Sequence, residues 1–225
     1  MCILLIVLLL SGGLCFALPK ETRAAEKSRW SALKDKYREK KNTDRLIFVK
    51  YTGGTSCHVY MLKKQLRKDG VTHKWKRILA CRGYVGLNGI GKTREGDMTT
   101  PQGTFKIGEA FGILENPGTK IPYTQLNPYL YWSGEEGTYN TMVDSRELGH
   151  IPANSEHLID YTMSYRYALD MGYNRKCVFK KGSALFLHCF GNNTYTAGCV
   201  AISEENMRTI LQNVTKKTRI CIYPA

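Results

Sequence analysis

Apolar residues change their spacing several times along the chain, and each change marks an element. Met1 to Ala17 form an almost unbroken apolar run that ends in small residues. From Leu18 to Asp44 the chain is polar and rich in Lys and Arg. Within that stretch Trp30, Leu33 and Tyr37 fall at i, i+3 and i+7, a thin apolar stripe on a helix. The spacing shifts at Arg45. Leu46-Ile-Phe-Val-Lys-Tyr51 reads as a strand, Gly53-Gly54 as a turn, and Cys57 to Leu62 as the returning strand of a hairpin. Lys74 to Cys81 reads as a third strand. The glycines from Gly83 to Gly96 read as turns within a β domain. They lack the Gly-Lys-Ser/Thr ending and the strand–loop–helix setting of a phosphate cradle. Asp97 suits a turn cap, Pro101 stiffens the turn, and Gly103 leads into a strand over Thr104 to Ile107.

Periodicity weakens between about Phe111 and Asn174, where Tyr, Asn, Pro and Gly are frequent. This segment reads as an insertion of long loops and short elements, the kind of region that carries binding surfaces. Regular patterning returns with Leu185-Phe-Leu-His188 and again after Cys199. Ser203 is a good N-cap, and Glu204-Glu205 suit the positive end of a helix. Met207, Ile210, Leu211 and Val214 lie on one face of that helix. Arg219 to Tyr223 reads as a closing strand. The expectation is a mainly β (α+β) domain over residues 45–225, with a loop-rich insertion and a helix after Cys199. A basic helical linker precedes it over 18–44.

The opening run changes the picture most. It is too short for a comfortable membrane span and reads as a secretory signal over 1–17, although no Lys or Arg precedes it. The chain is therefore expected outside the cytosol, at the cell wall or membrane. The net charge of +14 then calls for an anionic partner or surroundings. Nucleic acid, phospholipid and an anionic cell envelope all answer that description, and charge alone does not choose among them, but no nucleic-acid-binding motif accompanies it and export speaks against that partner. Outside the cytosol thiols tend to pair. Cys57, Cys81, Cys177, Cys189, Cys199 and Cys221 follow the signal, and if Cys199 is a working thiol the other five cannot all pair among themselves. No Cys-x-x-Cys spacing suggests a zinc site, and the reading calls for no metal or cofactor.

Candidate chemistry concentrates in Leu185-Phe-Leu-His188 and Thr196-Ala-Gly198-Cys199-Val-Ala-Ile. Two apolar runs joined by a short polar loop can bring an imidazole and a thiol onto one surface. A thiol is a weak nucleophile while protonated, and a neighbouring His can hold it as thiolate, so an ionised sulfur at Cys199 is expected. Gly198 allows a tight turn that leaves amide N–H groups free to meet a substrate oxygen. The competing reading of the same pattern is a buried His and a buried small thiol in a β core. His58, His73 and His150 read as surface or hydrogen-bonding residues, as does His157, whose place in the insertion makes it worth testing.

Two segments resemble the YkuD-type L,D-transpeptidases of bacterial cell walls. Gly96-Asp97-Met-Thr-Thr100-Pro101-Gln-Gly103-Thr-Phe105 is similar to the family's Gly-Asp-x-x-Thr-Pro-x-Gly-x-Phe turn. His188 through Thr196-Ala-Gly198-Cys199-Val200 is similar to its His…Ser/Thr-x-Gly-Cys signature. The resemblance extends over roughly Leu46 to Ile222 and includes the Ser155-Glu156 and Tyr173-Asn174 segments. It implies a β-sandwich-like catalytic domain acting on peptidoglycan stem peptides. In that comparison Cys199 matches the nucleophile, His188 the base, Gly198 the oxyanion turn, and Thr196 a hydroxyl that orients the loop or the imidazole. The sequence departs from the pattern at Cys189, where many members have Gly, and at Ala197, where some carry a second His. It also has Ala201 where many have an Arg that suits a substrate carboxylate. The His-to-Cys spacing of eleven positions is short for the family.

Overall fold

The computed structural model describes residues 20–225, and side chains from residue 29 onward; the signal-like run over 1–17 lies outside the described residues. Helix α1 (Lys20–Arg38) is followed by three long strands, β1 (Arg45–Gly53), β2 (Ser56–Leu66) and β3 (His73–Tyr84). Next come the turns of the glycine run and β4 (Gly103–Lys106). The insertion holds short strands β5 (Ala110–Gly112), β6 (Tyr123–Gln125), β7 (Leu130–Trp132) and β8 (Met142–Asp144), the one-turn helix α2 (Ser145–Leu148), and β9 (Glu156–His157). Strands β10 (Ala168–Asp170), β11 (Phe186–Cys189) and β12 (Val200–Ile202) lead to helix α3 (Glu204–Asn213) and β13 (Thr218–Pro224).

Ten strands form one sheet in the order β4-β13-β1-β2-β3-β12-β11-β10-β5-β6, and β8-β7-β9 form a small second sheet. Ile47, Val59 and Met61 from one half of the large sheet share a core with Leu169, Leu187 and Val200 from the other. The sheet therefore folds over on itself, and the fold is mainly β and β-sandwich-like. Helix α3 closes that core with Met207, Ile210 and Leu211, all fully buried, as is Val214 at its end. Ser203 caps it, its hydroxyl accepting from Asn206 N–H at 3.4 Å.

The unbroken apolar run of β1 has a structural cause. Ile47 and Val49 point into the common core, while Leu46 and Phe48 point out to a second cluster with Trp30 of α1. A strand covered on both faces has no need to alternate apolar with polar. Trp30 is 5% exposed and sits 4.8 Å from the Phe48 ring. Trp75 Nε1 donates to Lys34 O at 2.8 Å, and His73 Nδ1 lies 2.6 Å from Glu39 Oε2. The helical stripe of the basic linker is thus present, and from Arg29 to Arg38 it is not a free connector. There the helix is docked on the sheet, because Trp30 can be buried only against the outer face of β1. All six described cysteines are free, so the pairing that export suggested is not found.

Candidate active site

The two halves of the candidate pair lie on adjacent parallel strands. β11 and β12 run with Leu187 beside Val200, His188 beside Ala201 and Cys189 beside Ile202. Alternation turns Leu187, Cys189, Val200 and Ile202 into the common core. It turns Phe186 and Cys199 the other way, into a separate cluster with Phe111, Trp132 and Tyr165 from the insertion. His188 shares that face. Cys199 and His188, each 7% exposed, line one cavity of about 490 Å³. Ala201, the ladder neighbour of His188, lines it too.

The thiol and the imidazole are brought together but not hydrogen-bonded to each other among the described residues. Cys199 Sγ accepts from Phe186 N–H and donates to Ala184 O, each at 3.2 Å. Burial pushes the thiol up to about 12, and the nearby charge of Glu156 pushes the same way. His188 Nδ1 lies 2.7 Å from Cys189 O. A carbonyl can only accept, so Nδ1 carries the proton and Nε2 is left as the basic nitrogen. Burial lowers His188 to about 4, against a smaller opposing effect of that hydrogen bond. At neutral pH the site therefore holds a thiol and a neutral imidazole, which corrects the expected thiolate: burial disfavours both charged forms.

The loop before Cys199 is held from three sides. Thr196 Oγ1 donates to Cys199 O at 2.7 Å and accepts from Gly198 N–H at 3.1 Å. Thr196 therefore orients the loop and not the imidazole. Thr100 Oγ1 also donates to Cys199 O, at 3.0 Å and from 99 positions earlier in the chain, which joins the two motif segments directly. Gly198 has φ +144, and a Cβ there would stand 2.9 Å from Thr99 O and from Leu185 Cδ2, so only glycine fits. Its N–H is taken by Thr196, whereas Cys199 N–H has no protein acceptor among the described residues. Of the two expected oxyanion donors, the Cys199 amide is the available one.

Asp97 does more than cap a turn. Burial opposes its ionisation, but donors from Lys92 Nζ and the N–H groups of Thr93, Arg94 and Thr99 hold its carboxyl well below the usual range. The Lys92–Asp97 pair, 2.7 Å apart with side chains 3% and 11% exposed, stiffens the turn that carries Thr99 and Thr100. Lys92 also lines the cavity. Asn140 ties the insertion to this wall. Its Oδ1 accepts from Trp132 Nε1 at 3.1 Å and Ala184 N–H at 3.2 Å, and its Nδ2 donates to Tyr173 O and Asn174 O.

Sequence reasoning flagged His157, but the structure brings its neighbour Glu156 to the cavity instead. His157 stacks on Tyr131 at 4.5 Å and bonds Asp160 and Pro128 O. His150 pairs with Glu135 at 3.0 Å. Cys189 points away from the cavity, its Sγ 3.5 Å from Tyr167 O. Glu156, Tyr161, Tyr165 and Lys92 were not found from sequence. Only the position of Glu156 in a segment resembling the family could have signalled it, because weak periodicity hides which side chains face inward.

No curated protein matches the chain. Among protein families, YkuD, the L,D-transpeptidase catalytic domain, matches residues 55–222. That span runs from β2 to β13 and takes in both motif segments. The Asp97 turn and the His188–Cys199 wall lie within it, β1 of the same sheet lies just before it, and the chain belongs to the YkuD L,D-transpeptidase family.

Proposed function

We propose that the protein is an exported peptidoglycan L,D-transpeptidase with Cys199 as nucleophile and His188 as its base. The observation that carries this reading is a free thiol and a basic imidazole nitrogen on one wall of one cavity. A tetrapeptide stem would enter with the carbonyl of its L-centre above Cys199. The sulfur leaves Ala184 O and passes its proton to His188 Nε2 as the S–C bond forms. The Cys199 N–H would face the oxyanion, a contribution of about 3–4 kcal/mol for such a donor. The C–N bond then breaks, the imidazolium returns the proton to the departing D-amino acid, and a thioester remains. An amine from a neighbouring stem takes the acyl group and restores the thiol. Burial of both groups as neutral species suits this order of events, since the proton moves only when substrate excludes water.

The net charge of +14 suits work among anionic wall polymers, and the apolar run over 1–17 suits export. The test is intact mass after incubation with a tetrapeptide donor or a carbapenem, with mapping of the adduct. An acyl adduct on Cys199, absent from Cys199→Ser, supports the reading. Full activity of Cys199→Ser, or an adduct mapped elsewhere, overturns it. Product analysis with and without an amine acceptor separates transfer from an L,D-carboxypeptidase. Wall binding with no adduct would mark a non-catalytic wall-binding module.

A further inference from the structure

The cavity holds a carboxylate for which the attack by Cys199 has no use. Glu156 lies directly across the β7–β9 ladder from Trp132. Tyr165 Oη donates to Glu156 Oε2 at 2.5 Å. Oε1 has no hydrogen-bond partner, and no Lys or Arg pairs with the carboxylate, among the described residues. Glu156, Trp132, Tyr161 and Tyr165 all line the cavity that Cys199 opens on. The rings of Tyr161 and Tyr165 stack at 4.7 Å. Leaving a carboxylate in such a place without a cation is unfavourable, and its charge opposes ionisation of the sulfur. Both costs disappear if a cation arrives from outside. Aromatic faces beside a carboxylate are a setting that selects an alkylammonium.

We propose that Glu156, walled by Trp132, Tyr161 and Tyr165, seats the ammonium of the acceptor and takes a proton from it before the nitrogen attacks the thioester. This rests on the transpeptidase reading above and names its second substrate as a primary alkylammonium. The atoms balance. Of the three ammonium protons, one passes to Glu156 and then to solvent. One passes by way of His188 to the Cys199 sulfur as the C–S bond breaks. One stays on the new amide. Burial pushes Glu156 up to about 7, against the lowering effect of the Tyr165 hydrogen bond, which suits a base that must gain and lose a proton near neutrality. Glu156 and Cys199 line the same cavity, which assigns the seat to the reacting nitrogen and not to a remote arm of the donor.

The experiment follows the fate of preformed acyl-enzyme. The full-length protein is loaded with a tetrapeptide donor, and Nα-acetyl-lysine amide is added as acceptor. The ratio of aminolysis to hydrolysis is then read by mass spectrometry. Glu156→Gln is expected to lower that ratio at least tenfold, and an unchanged ratio overturns the proposal. A wild-type arm covers the case in which the variant does not fold. Nα-acetyl-Nε-trimethyl-lysine amide fits the seat but has no proton to give, so it should suppress aminolysis while hydrolysis continues. No suppression at tenfold excess over the acceptor overturns the amine seat. Thioester formation with either negative result removes the seat alone. Failure of the wild type to form any thioester removes the transpeptidase reading and the seat with it.

Discussion

The large folded sheet and the insertion that faces it divide the cavity between them by different means. The sheet holds His188 and Cys199 through ladder hydrogen bonds, strand alternation and a loop pinned by Thr100 and Thr196. The insertion holds Glu156, Trp132 and Tyr165 through a three-stranded ladder, aromatic packing and the bonds of Asn140. The comparison teaches that position is set once on the sheet but assembled from many weak parts on the insertion. Under the proposed function the sheet carries the acylation chemistry, and the insertion carries the groups that would receive the acceptor amine.

The sharpest way to break that division is at the sulfur. Cys199→Ser should abolish acyl-adduct formation, a loss of more than about a thousandfold. Circular dichroism and the melting temperature should stay close to wild type, because the hydroxyl replaces a small buried group. A collapsed fold would mean that the sulfur is there to fill the core.

A second change tests whether the sheet's loop is as exacting as its geometry implies. Gly198→Ala must force a Cβ against Thr99 O and Leu185. We expect acylation to fall by about a hundredfold through a displaced sulfur and amide, measured as the rate of adduct formation on folded protein. Unchanged rates would show that the loop relaxes without moving the thiol.

The insertion is expected to respond more softly. Asn140→Ala removes four hydrogen bonds, three within the insertion and one to Ala184 beside the cavity wall. Denaturant unfolding should show a loss of about 1–3 kcal/mol, and the donor KM should rise more than kcat falls. A larger fall in kcat than rise in KM would mean that the insertion also positions the reacting groups.

The smallest expected effect is on pH dependence. With His188 lowered to about 4 from an ordinary 6.5, the base stays neutral through mild acid. The acid limb of acylation should have its midpoint near pH 4, so activity at pH 5.5 should lie within about twofold of its neutral value. The same shift has a stability consequence. Between pH 6.5 and 4 the unfolded chain binds the proton that buried His188 refuses, so stability falls as pH drops through that window. An acid limb centred near 6.5 would place the imidazole in water.

Much of the fold was legible because regular strands and helices carry a period. The β1–β2 hairpin, the third strand, α3 with its Ser203 cap and the closing strand follow from spacing alone. So did the candidate pair, since Leu185 to His188 and Cys199 to Ile202 are apolar runs with a chemical residue at one end. The docking of α1 was half-legible: the stripe was visible, but its partner Phe48 lies in another element. Between Phe111 and Asn174 the elements are four residues or shorter, too short for any period to declare which side faces inward.

The chain's own order of residues determined the long strands, the capped helix, the excess of positive charge and the two motif segments that hold Thr100, His188 and Cys199. Only the tertiary structure decided that Thr100 reaches the Cys199 carbonyl, that Nε2 is the basic nitrogen of His188, that the sulfur rests as a thiol, and that Glu156 rather than His157 enters the cavity. Local pattern depends on neighbours a few positions away. Desolvation and hydrogen-bond partnership depend on groups that meet only when distant segments fold together.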